Sequence, residues 1–212
     1  MTNKLFWENP YLTSLETVVK SVVGDLITLR ETIFYALSGG QESDAGTICG
    51  YPVIDARKTG SDIEYTIPAG HDLKQGDSVR VEIDWERRYR LMRHHFAAEL
   101  ILELVYRELG EVEKIGAHIA PDKARIDFLW PTNISPLFPK LISQARSLID
   151  QDIEIISAFS DESSQRRYWE VPGFARVSCG GTHLKRTGEL GEITLKRKNI
   201  GKGKERIEVV VA

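Results

Sequence analysis

Cys179-Gly180-Gly181-Thr182-His183 sets a thiol and an imidazole four residues apart with two glycines between them. Glycine accepts backbone angles closed to other residues, so this stretch can fold back and aim both side chains at one point. Thiolate and imidazole are zinc ligands, and a tight loop suits a metal. A buried cysteine is as often a small hydrophobe, so the motif alone leaves both uses open. Far upstream, His95 and Glu99 stand four apart in a run without Gly or Pro. On a helix they project from one face, one turn apart. That spacing ordinarily makes an exposed ion pair. It also suits ligation, because imidazole and carboxylate both bind zinc, and with Cys179 and His183 they make four donors. His94 points about 100° away on an ideal helix and is not expected to join them.

The helix carrying His95 and Glu99 is predicted over residues 85–109. Met92, Phe96, Leu100 and Leu104 recur there every fourth position on an amphipathic face, and Gly110 stands where a C-terminal cap belongs. A second helix is predicted from Ser135-Pro136 to Asp150, with Leu137, Leu141, Ala145 and Leu148 on one side. Ahead of the first helix the chain reads as strands and turns. Residues 18–23 and 26–34 flank Gly24-Asp25, residues 53–57 and 63–67 flank Thr59-Gly60-Ser61-Asp62, and residues 79–84 alternate apolar with polar. Cys49 is expected to do no more than fill space in a strand. Later strands are predicted at 116–119, 125–129, 153–158 and 175–178, with a final hairpin of 192–197 and 206–211 around 199–203. The expected fold class is α+β: a small β-barrel-like domain over residues 1–86, then an α/β two-layer domain over residues 87–212.

Composition narrows the function classes. Of 212 residues 42% are hydrophobic and 28% charged, the balance of a folded globular chain rather than a disordered one. Two cysteines, Cys49 and Cys179, exclude a disulfide framework. No apolar run is long enough for a bilayer span, so no membrane partner is expected. The first residues lack an apolar segment with a cleavage site, which leads to the expectation of a cytoplasmic protein. A net charge of −3 gives no bulk argument for nucleic acid. Residues 184–206 nevertheless concentrate Lys185, Arg186, Lys196, Arg197, Lys198, Lys202, Lys204 and Arg206 against three glutamates. A basic hairpin is ordinarily a solvated surface and gains meaning only beside a site that handles an anionic polymer.

Several stretches, in order, resemble one family. They are Thr32-x-Phe34-Tyr35-x3-Gly39-Gly40-Gln41-x-Ser43-Asp44-x-Gly46, Asp84-Trp85-Glu86-Arg87-Arg88, Leu91-Met92-Arg93-His94-His95, Arg125-Ile126-Asp127-Phe128, Cys179 to His183, and Thr187-Gly188-Glu189-Leu190-Gly191. The chain resembles the freestanding alanyl-tRNA editing proteins, relatives of the editing domains of alanyl- and threonyl-tRNA synthetases. The resemblance implies hydrolysis of mischarged tRNA for alanine, carrying serine or glycine, in a pocket holding Zn2+. It implies His95, Glu99, Cys179 and His183 as metal ligands, with Glu99 also a candidate base. Thr32 and Gln41 of the glycine-rich motif become candidates for meeting a serine hydroxyl. Arg93, Lys196, Arg197, Lys198, Lys202 and Lys204 become candidates for tRNA phosphates, as do Arg87, Arg88 and Arg90 where they are not paired with Glu86 or Asp84. Monomer and homodimer stay equally open.

Two positions depart from the family pattern. Glu99 stands where a histidine is expected, and Phe96 where Thr or Ser follows the first histidine. Three histidines and a thiolate leave a zinc centre at a formal charge of about +1, and a carboxylate in place of one histidine brings it to about 0, a weaker Lewis acid. The residues therefore leave three readings: a zinc-dependent editing hydrolase, a tRNA-binding module whose hydrolytic centre has degenerated, and a metal hydrolase for another small ester or amide.

Overall fold

In the strand Ser78–Ile83, Val79, Val81 and Ile83 are buried while Ser78, Arg80 and Glu82 face solvent. This period of two builds the first part of the chain. The computed structural model describes residues 1–110 and 112–212 and divides into two units, Met1–Tyr89 and Arg90–Ala212. The first unit holds β1 (Asn3–Lys4), β2 (Ser14–Val23), β3 (Leu26–Leu29), β4 (Glu31–Thr32), β5 (Gly46–Ile48), β6 (Tyr51–Pro52), β7 (Asp55–Thr59), β8 (Asp62–Thr66) and β9 (Ser78–Ile83). β1 and β4 form a short parallel pair, and the other seven form an antiparallel sheet in the order β6-β5-β9-β2-β3-β8-β7. The two outer strands follow each other in the chain with only Val53 and Ile54 between them. The sheet must therefore curl until both edges reach that segment. Val53 donates to Gly46 O at 3.0 Å on one edge and Ile54 to Thr66 O at 2.8 Å on the other.

The barrel expected from the turns is thus a curled half-barrel sheet, filled by Ile27, Leu29, Ile48, Ile63, Tyr65, Ile67 and Val81. Gly46 is required where β5 crosses β9, because a Cβ there would lie 2.1 Å from Glu82 O. The strand expected over 26–34 stops early because side chains claim its backbone donors. Thr32 Oγ1 accepts from Phe34 N at 3.0 Å, and Asp44 Oδ2 accepts from Tyr35 N at 2.6 Å. Cys49 does not fill a strand. It is exposed on the β5–β6 turn at φ 51°, followed by Gly50 at φ 80°.

α1 (Trp85–Leu109) starts in the first unit and runs from Arg90 onward in the second; it ends at Gly110, whose φ of 74° lets its N–H reach Tyr106 O at 2.9 Å. α1 is not the one-sided helix its period suggested. Leu91, Ala97, Ile101 and Val105 are as buried as Met92, Phe96, Leu100 and Leu104, so apolar side chains cover more than one stripe. Then come β10 (Lys114–Ile119), β11 (Ala124–Leu129), a 3-10 turn (Ser135–Leu137) leading into α2 (Phe138–Asp150), β12 (Ile156–Asp161), β13 (Arg166–Val171), β14 (Ala175–Ser178), β15 (Ile193–Gly201) and β16 (Lys204–Val211). They make two antiparallel sheets, β10-β11-β16-β15 and β12-β13-β14. β13 escaped the sequence reading because Arg167 occupies an inward position of its alternation, its guanidinium 4.4 Å from the Phe159 ring centre. The strand expected at 153–158 begins at Ile156, since Ile153 and Ile155 are bonded to Thr187 and Lys185 instead. Among the described residues no helix is long and apolar enough to cross a membrane.

Candidate metal centre

Helical spacing sets His95 and Glu99 one turn apart on α1, with His95 Nε2 3.4 Å from Glu99 Oε2. The Cys–His loop is held at both ends. At its start, the Cys179 N–H continues the β14 pairing by donating to Arg167 O at 3.0 Å. At its end, Thr187 bridges two segments, its hydroxyl donating to Leu148 O at 2.7 Å and accepting from Ile153 N at 2.8 Å. Glu189 Oε1 accepts from the Lys185 and Arg186 N–H groups, each at 3.0 Å. Gly188 sits against Asp152 so closely that a Cβ would lie 2.5 Å from its Oδ1. The Thr187-Gly188-Glu189-Leu190-Gly191 motif is therefore the clamp that seats the loop.

Between these anchors the loop brings Cys179 Sγ to 3.3 Å from His95 Nε2, and His183 Nε2 to 3.4 Å from Glu99 Oε2. The four donor atoms lie within 4.8 Å of one another. Ligands at zinc bond lengths of about 2.0–2.3 Å stand roughly 3.3–3.7 Å apart in a tetrahedron, and three of these separations already match. Two of the atoms, Glu99 Oε2 and His183 Nε2, are buried and make no hydrogen bond among the described residues. A buried polar atom without a partner is costly, and a cation between the four would satisfy both. The donor set fits a divalent metal.

Electrostatics agree. Burial opposes charge on His95, yet the Cys179 and Glu99 charges outweigh it and hold the imidazole well above its usual range. Burial likewise opposes charge on His183, and Cys179 raises it again. The Cys179 thiol would be pushed up by burial, but His95 and His183 bring it down to about 7. Burial would also raise Glu99, and the His95 charge with both nearby imidazoles holds it below the ordinary carboxylate range. The thiol and carboxylate are thus readied as anions, the form a metal takes.

No other candidate belongs to this group of donors among the described residues. His94 is buried, with Nδ1 3.0 Å from Arg90 O, and Nε2 accepting from Val211 N at 3.4 Å. Phe96 is core, packed edge-on against Trp169 at 5.2 Å. Thr32 and Gln41 belong to the first unit and are fully buried; Thr32 Oγ1 lies 2.6 Å from Tyr65 Oη. Arg87 pairs with Glu42 at 2.7 Å, and Arg88 is buried against Asp44, with Nε 2.8 Å from Oδ1. Arg93 donates to the backbone carbonyls of Leu190 and Ala212. Arg197 grips Glu205, Lys198 reaches Glu208 at 2.9 Å, and Lys196, Lys202 and Lys204 are exposed. Sequence reasoning missed Ser157, whose Oγ lies 3.3 Å from His183 Nδ1 and fixes the ring so that Nε2 faces the other donors. A lone serine in a strand carries no signal for that role.

Residues 172–208 match the family described as "Threonyl and Alanyl tRNA synthetase second additional domain". Over 99% of its length the chain is 35% identical to the alanyl-tRNA editing protein AlaX-M of Pyrococcus horikoshii, covering 97% of that protein. It is 33% identical to the protein of the same name from Methanosarcina acetivorans, with 98% of each covered. It is also 34% identical to the alanine–tRNA ligase of Ignicoccus hospitalis, of which it spans 26%.

Proposed function

The chain belongs to the family of alanyl-tRNA editing proteins of the AlaX-M type, and from that premise we propose that it hydrolyses the ester of mischarged tRNA for alanine, releasing serine or glycine. The observation that carries this reading is the convergence of His95, Glu99, Cys179 and His183, with two of the four donor atoms buried and unbonded. We assign these residues to hold Zn2+, which when bound supplies Lewis acidity to water or to an ester carbonyl.

The chain's own groups supply the rest. Glu99 is the residue proposed to receive a proton, because it is the one carboxylate of the set, and Oε2 would do so in place of holding the ion. Ser157 holds the His183 imidazole in place, and α1 carries His95. Rejection of correctly attached alanine calls for a polar group satisfied only by a serine hydroxyl, since a partner left unpaired penalises the smaller side chain. Thr32 and Gln41 are proposed for that role. The Thr32 hydroxyl is buried and shared with Tyr65 Oη and Phe34 N.

The test is deacylation of seryl-, glycyl- and alanyl-tRNA for alanine, with metal analysis alongside. The parent is expected to carry about one zinc per chain, to release serine or glycine and to spare alanine. Cys179→Ala and Glu99→Ala are expected to lose metal and at least 100-fold in rate, the scale on which removing an electrostatic contributor acts. A zinc-loaded parent that hydrolyses none of the three rejects the reading. Binding without hydrolysis is the second reading, and the carboxylate of Glu99, which neutralises the centre, is the feature that favours it.

A further inference from the structure

The sheet β10-β11-β16-β15 buries Ile126, Phe128, Ile207, Val209 and Leu195 on one face. Pleating turns the alternate residues to the other. Register lines up His118, Arg125, Glu208 and Lys196 in one row across that outer face, and Gly116, Asp127, Arg206 and Lys198 in the next. Lys204, opposite Leu129, begins a third. Two carboxylates are sunk into this face. Arg206 clasps Asp127 at 2.7 and 2.9 Å with Arg125 alongside, and Glu208 takes Lys198 at 2.9 Å and Lys123 at 3.2 Å. Four cations thus share two acids, and Lys196 and Lys204 are exposed with no ion pair among the described residues. The result is a basic plane three strands wide on a chain whose net charge is −3.

We propose that this outer sheet face docks the phosphate backbone of double-helical RNA, the stem beside the charged end of the tRNA. The proposal rests on the editing reading and adds the surface that meets the substrate's helix. Charge complementarity argues for a polyanion. The width argues for more than one phosphate at once. The rows contain no Phe, Tyr or Trp on which unpaired bases would stack, which favours a duplex read by its backbone over a single strand. Arginines pinned by buried carboxylates are ordered beforehand, so less side-chain freedom is lost on docking. Arg197 is outside this surface: it lies between Lys196 and Lys198 in the strand, so its side chain emerges on the opposite face, where it binds Glu205.

The experiment measures binding of deacylated tRNA at several salt concentrations. K196Q/K198Q/K204Q is compared with the parent and with R30Q/K58Q/K74Q, which removes three exposed cations of the first unit. The sheet variant is expected to bind on the order of tenfold more weakly at 0.1 M salt, with a log–log salt slope smaller by roughly 2. The first-unit variant is expected to match the parent. K196Q/K204Q, which breaks no ion pair, is expected to show part of the same loss. Parent-like binding and slope in the sheet variant overturn the proposal, as does an equal loss in the first-unit variant. A parent that binds tRNA but deacylates none removes the editing reading and leaves the face standing. A parent that deacylates, with an indifferent sheet variant, removes the face alone.

Discussion

At the scale of single residues, the centre turns on Glu99, a carboxylate where the resemblance leads one to expect histidine. The carboxylate still reaches the shared point, 3.4 Å from both imidazole Nε2 atoms, so the geometry tolerates the change while the charge does not. What the ligands can hold then depends on how firmly their rings are set, and Ser157 sets His183. Outer partners of ligating histidines are worth about 10–100-fold in metal affinity. Ser157→Ala is expected to weaken zinc by that factor in a chelator-competition titration and to alter the absorption of the cobalt-substituted protein, with Ser157→Thr restoring both. Equal affinity in all three forms rejects the role. His95 and Glu99 were legible because helical spacing is a local rule. Ser157 was not, because its partner lies 26 residues on and only the folded β12 brings them together.

At the scale of elements, the strands tie distant segments through shared carboxylates. Asp62, in β8, takes Lys20 of β2 at 2.6 Å and the Thr2 hydroxyl at 3.2 Å. The Lys20 hydrogen bond chiefly, against some burial, lowers Asp62 to about 2. A depressed folded value means the stabilisation is present above the unfolded pKa near 4 and disappears as pH falls towards 2. Asp62→Asn is expected to lower stability by about 1 kcal/mol at neutral pH and to flatten its fall between pH 4 and 2, measured by urea unfolding. An unchanged acid limb counts against this link. Strand alternation also revises the basic hairpin. Read along the chain, Lys196, Arg197 and Lys198 are one cluster; on β15 they divide between two faces with different partners.

At the scale of the molecule, each unit has its own organisation, and all four proposed ligands belong to the second. Metal removal is therefore expected to act locally. Chelation is expected to lower hydrogen-exchange protection around residues 95–99 and 179–183 and to leave the strands of the first unit unchanged. Uniform loss across both units contradicts this placement. The amino-acid order alone determined where α1 begins and ends, the Gly24 and Gly60 turns, the α+β class and the four residues proposed as donors. Each of these depends on spacing within one segment or on motifs kept in order. The tertiary structure alone decided that the donors meet, that β6 and β7 force the sheet to curl, that α1 is covered on several sides, and which cations share a surface. Those outcomes depend on register and packing between segments tens of residues apart, where many pairings satisfy the local pattern and only simultaneous burial selects one.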